Sequence, residues 1–139
     1  MDDFRAQLRD VIDGMLAAGV TPIFLVADLE GAAEIKRVRD QDSLDKFMQA
    51  ATTAITAVAP EADTFTYGDE RIVAIMPELP RLTTFALIDR LRRALPLLGQ
   101  SFDCTIYPEF DVLDYDPQTG VSGLLAELSA LGRRRDDVA

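Results

Sequence analysis

No uninterrupted apolar run in this chain is longer than five residues, and the run from Ile23 to Ala27 reaches that limit. A membrane-spanning helix needs about 20 consecutive apolar residues, so no such span is expected. Thr21 to Asp28, with Pro22 near one end and an acid at the other, marks a short buried strand. Helical spacing precedes it: Phe4, Leu8, Val11, Met15 and Leu16 fall on one face, and Gly19 stands where that helix should stop. Leu29 to Gln41 is charged, and Gly31 within it suggests a loop or a short helix. Leu44, Phe47, Met48, Ala51, Ile55 and Val58 then trace a second helical stripe, with Ser43 as its expected cap and Pro60 at its end.

Asp63 to Thr66 and Arg71 to Pro77 read as two strands joined by the tight acidic turn Tyr67-Gly68-Asp69-Glu70, a hairpin. A third helix is expected from Leu82 to Leu95, with Phe85, Ile88, Leu91 and Leu95 inward and Pro96 and Gly99 closing it. Ser101 to Tyr107 and Glu109 to Tyr115 read as strands, and Val121 to Gly132 as a last helix. Set inside the two end helices, and with the last two strand stretches counted as one element, the order is β-α-β-β-α-β. That is the ferredoxin-like arrangement, an α+β class. The expectation is one compact domain over residues 1–139, without repeats or linkers.

Composition narrows the chemistry. Fourteen Lys plus Arg stand against 24 Asp plus Glu, a net charge of −10. Such a surface has no cation excess to displace counterions from a phosphate backbone, so nucleic acid is not an expected partner. No histidine is present, which removes imidazole catalysis and His metal ligands. Cys104 is the single cysteine, so neither an internal disulfide nor a cysteine zinc cluster can form, and it is expected as an inert residue in an apolar strand. Met1-Asp2-Asp3-Phe4 lacks the basic-then-apolar layout of a signal peptide, which points to the cytoplasm.

Two acidic positions remain. Asp28 is expected at the end of the first strand, and Asp69 and Glu70 on the hairpin turn beside it. Close carboxylates repel unless a cation sits between them, and hard oxygen ligands suit magnesium or calcium. An ion there would hold nucleotide phosphates and activate an oxygen nucleophile. Acids are also common in solvated turns because Asp tolerates turn geometry, and spacing leaves both readings open.

Thr66-Tyr67-Gly68-Asp69-Glu70-Arg71 and the apolar strand that follows it to Pro77 resemble the signature hairpin of GGDEF domains, the diguanylate cyclases, whose motif reads Arg-Tyr-Gly-Gly-Asp-Glu-Phe. The resemblance runs from Phe4 to Arg134. Asp28-Leu29-Glu30 resembles the family's Asp-hydrophobic-Asp, Asp45 falls where the family has an Asp that helps to read guanine, and Leu131-Gly132-Arg133-Arg134 is similar to its terminal Gly-Arg-Asn. The resemblance implies Asp28, Asp69 and Glu70 as ligands of a magnesium ion. Asp69 would help to activate the attacking hydroxyl, and Gly68 would let backbone approach the phosphates. Lys36 and Asp45 would flank the base.

The chain also departs from the family pattern. Tyr67 replaces the first glycine, Arg71 the final Phe, Lys36 the guanine-reading Asn, and Ser129 a phosphate-binding Lys. Val58-Ala59-Pro60-Glu61 stands where the Arg-x-x-Asp feedback site should be. Losses in substrate placement each cost about 2–4 kcal/mol of barrier lowering. The expected function is therefore a degenerate, catalytically inactive GGDEF-like module of bacterial signalling, acting through a protein partner or as a homodimer. The alternative is a metal-dependent sensor that binds GTP or cyclic di-GMP. A nucleotide cyclase with an altered substrate is a third reading.

Overall fold

The computed structural model describes the backbone of residues 2–138 and the side chains of residues 3–131. Its elements run α1 (Asp2–Ala17), β1 (Pro22–Glu30), α2 (Ala33–Val38), α3 (Gln41–Val58), β2 (Asp63–Tyr67), β3 (Arg71–Pro77), α4 (Arg81–Gln100), β4 (Tyr107–Asp114) and α5 (Gly120–Val138). The four strands form one antiparallel sheet in the order β2-β3-β1-β4. This is the expected ferredoxin-like α+β core with a helix added at each end.

The continuous apolar run in β1 follows from its position. It lies between β3 and β4, and both faces of the sheet are covered. Alternate residues point to opposite faces. Ile23, Leu25, Ala27 and Leu29 join Ile72, Ala74 and Met76 in a core with α3 and α4, around Phe47, Ile55 and Leu91. Phe24 and Val26 join Val73 and Ile75 in a second core with α1 and α5, around Leu8, Ile12, Leu124 and Leu128. No strand residue from Pro22 to Leu29 is left exposed. Among the described residues no helix is long and apolar enough to cross a membrane.

Several local expectations change. On α1, Phe4, Leu8, Val11 and Met15 face the core as expected, Ile12 joins them fully buried, and Leu16 is 42% exposed. On α4, Leu87 is buried with Ile88, Leu91 and Leu95, and Phe85 faces outward. Pro96 does not end α4, which runs on to Gln100. The extra turn brings Gly99 into the core, with Leu91, Leu95 and Gly99 one turn apart on the same face. A Cβ on Gly99 would stand 2.4 Å from Ile106 Cγ1 and 2.9 Å from the Cys104 carbonyl oxygen, so the chain reverses there against bare backbone. The reversal takes up Ser101 to Asp103, and Asp103 adopts a left-handed φ of 56°. The two strands expected after it are one strand, β4. Pro108 is tolerated within β4 because this is an edge strand. Cys104 lies in the loop before β4, with its thiol 3.2 Å from the Gly31 carbonyl oxygen, and burial pushes its pKa up.

Helix α3 is capped three residues before the expected Ser43. Asp40 is extended and is the N-cap, and its carboxylate accepts the Ser43 backbone N–H at 2.7 Å.

Candidate functional site

The β2–β3 turn is built from Gly68, Asp69 and Glu70, closed by the cross-strand pair Tyr67 and Arg71. Gly68 has φ +72°, a conformation other L-residues rarely adopt. The turn leans against the end of β1, where the Leu29 N–H donates to the Glu70 carbonyl at 2.6 Å. The Glu70 side chain reaches into the loop that opens α2. One carboxylate oxygen accepts the N–H of Gly31 at 3.0 Å and of Ala33 at 3.3 Å. Gly31 is required there: its φ is +102° and a Cβ would stand 2.4 Å from the Thr105 carbonyl oxygen.

Asp28 is not at the strand end but within β1, directly opposite Arg71 on β3 and Glu109 on β4. Strand alternation puts all three on the α1/α5 face of the sheet, in line with Phe24 and Val26. Asp28 is only 5% exposed. Its carboxylate is ion-paired with Arg71, Nε to Oδ2 at 3.5 Å. That Nε is buried and makes no hydrogen bond among the described residues.

Asp45 and Asp69 lie on the other face, against α3. With Gln41, Leu44, Met48, Gln49, Thr52, Thr66 and Gly68 they line a cleft of about 240 Å³. Asp45 accepts a hydrogen bond from the Gln41 side-chain amide at 2.8 Å. Lys36 is exposed on α2 and does not line the cleft. The Tyr67 ring turns away from it and packs on Phe4 of α1, with centroids 5.3 Å apart.

Of the sequence-predicted residues, Gly68, Asp69 and Asp45 therefore come together, while Asp28, Glu70 and Lys36 go elsewhere. The arrangement does not suit a magnesium ion shared by Asp28, Asp69 and Glu70. Asp28 faces a guanidinium, one Glu70 oxygen is held by two amides, and among the described residues no group of three or more acidic, His or Cys side chains is arranged to hold a metal. The side chains of Arg133 and Arg134 lie outside the described residues. Two residues were missed from sequence. Gln41 falls at the end of the stretch that reads as a charged loop, although its i, i+4 spacing to Asp45 is a helical signal. Arg71 stands out in the sequence only as a departure from the family motif, and its partner Asp28 follows from the β1–β3 register.

No protein-family model and no curated protein matches the sequence. Solved structures do match in fold. The GGDEF domain of DgcB from Caulobacter crescentus, in complex with c-di-GMP, superposes with a TM-score of 0.70 at 15% identity, over 96% of this chain and 83% of that one. A GGDEF domain from a Pseudomonas aeruginosa protein gives 0.70 at 20% identity, over 97% and 90%. The diguanylate cyclase SiaD of Pseudomonas aeruginosa, in complex with its activator SiaC, gives 0.72 at 14% identity, over 97% of this chain and 54% of that one.

Proposed function

We propose that this chain, whose fold is that of GGDEF domains, is a catalytically silent signalling module that works by contact with another protein or a second copy of itself, in the bacterial cytoplasm. The observation that carries this reading is the commitment of the acids. A phosphoryl-transferring centre of this layout would need its carboxylates free to hold a cation on the reacting phosphates. Here Glu70 secures the α2 loop and Asp28 is neutralised within the sheet. The SiaD relative is seen with a protein activator, which supports a protein-facing role for this fold. The test is direct. Purified protein incubated with GTP and magnesium should form no cyclic di-GMP above a protein-free control. Formation at an ordinary enzyme rate, lost on Asp69→Ala, would sink the proposal.

A second reading has its own observation. The cleft at Asp45, Gly68 and Asp69 has room for a nucleobase and offers amide and carboxylate groups along its wall. Binding of GTP or cyclic di-GMP there would make the module a sensor. Calorimetry with each nucleotide, on the unaltered chain and on Asp45→Ala, decides it. Heat lost in the variant supports binding in the cleft, and silence toward both nucleotides rejects it.

A further inference from the structure

The acid in β1 poses an electrostatic problem that the fold has to solve. Asp28 is all but excluded from water, and Glu109 stands directly across from it on β4, on the same face. Like charges opposed across a sheet are unfavourable, and a buried carboxylate needs a counter-charge. The remaining neighbour in that row, on β3, is Arg71. Its Nε faces Asp28 Oδ2 at 3.5 Å, and 79% of the side chain is withdrawn from solvent, leaving 21% exposed.

We propose that Arg71 is the resident cation of this site: the guanidinium takes the place of a divalent metal at Asp28 and keeps such ions out. Three features support this. First, a metal ion and a guanidinium both answer the negative charge of one carboxylate, and Arg71 is anchored beside it by β3 whereas an ion must be recruited from solution. Second, bringing an ion to Asp28 would place it against a fixed positive charge in a poorly solvated position, where repulsion is strong. Third, two backbone donors of the adjoining loop, Gly31 N–H and Ala33 N–H, are already taken by Glu70, so an anion accompanying the ion finds them occupied. The cation and anion of the site are thus both supplied by consecutive residues of β3 and its turn, Arg71 and Glu70. The proposal goes beyond catalytic silence and does not depend on it. A domain that turned over nucleotide without metal at Asp28 would leave it standing.

The experiment uses Mn2+, a hard divalent ion with the same preference for oxygen ligands as Mg2+. Uptake is read by electron paramagnetic resonance, and stability by the thermal midpoint. The unaltered chain should take up no Mn2+ at Asp28, and Asp28→Asn should leave its Mn2+ response unchanged. Arg71→Met, similar in reach but neutral, should unfold at a lower temperature and recover part of that loss as Mn2+ is added. Adding Asp28→Asn to Arg71→Met should abolish both uptake and recovery. Arg71→Gln gives the same readout if the Met variant does not fold. Mn2+ uptake by the unaltered chain that disappears on Asp28→Asn would overturn the proposal. So would a folded neutral variant that is indifferent to Mn2+.

Discussion

Two adjacent acids in one turn do different work. Asp69 is exposed and its side chain borders an open cleft, while Glu70 is half-buried and satisfies two backbone amides of the neighbouring loop. Removing an acceptor from partly buried donors leaves them unsatisfied, which costs about 1–3 kcal/mol. Glu70→Ala is therefore expected to lower the unfolding free energy in urea by about that amount. Asp69→Ala is expected to change it by no more than about 0.5 kcal/mol, as for other surface substitutions. Equal losses at the two positions would mean that the carboxylate of Glu70 does not hold the α2 loop. The consequence for function is that a Glu70 variant cannot be read as a probe of chemistry alone, whereas an Asp69 variant can.

Helix boundaries show how local chemistry and tertiary packing divide the control of an element. Asp40 starts α3, and the Ser43 backbone N–H holds its carboxyl below the usual carboxylate range. A group with a depressed folded pKa adds stability above its unfolded pKa and loses it as pH falls through the folded value. Asp40→Asn keeps a competent cap without the titration. The stability advantage of the natural chain over this variant should be present at neutral pH and shrink in acid, as followed by denaturant midpoints between neutral and strongly acidic pH. At the far end of α4, Pro96 sits inside a helix that Leu95 and Gly99 hold against the core. Since an interior proline costs a helix about 3 kcal/mol, Pro96→Ala should raise the thermal midpoint, and a drop would show that the ring is needed for packing. These two boundaries also mark what was legible in the sequence. Period and turn chemistry revealed the main helices, the strands and the hairpin, because those depend on neighbours in the chain. The true end of α4 depends on contact with Ile106, and the burial of Asp28 on register with Arg71 and Glu109. Of the candidate site, the Asp45, Gly68 and Asp69 group was within reach of motif reading, but the diversion of Asp28 and Glu70 into ion pairing and capping was not.

The whole molecule is organised as a single sheet serving two cores, and this decides how it should unfold. Phe47 of α3 lies at the centre of one core and Phe24 of β1 at the centre of the other, each fully buried. If the layers were independent, losing packing on the α1/α5 side would leave the α3/α4 side intact. The sheet argues against that. Neighbouring residues of β1 and of β3 point alternately into the two cores, so neither strand can leave one core without leaving the other. Phe24→Ala and Phe47→Ala should each cost about 3–5 kcal/mol. Each variant should also unfold in one cooperative step, with the same urea midpoint by circular dichroism and by tyrosine fluorescence. The candidate site lies across this shared sheet, with the cleft on one face and the Asp28–Arg71 pair on the other. Cooperative unfolding would tie both halves of the site to one folding equilibrium. A biphasic curve for Phe24→Ala alone would show instead that the α1/α5 layer can open while the cleft stays formed. Ligand binding in the cleft would then raise the second transition and leave the first unmoved.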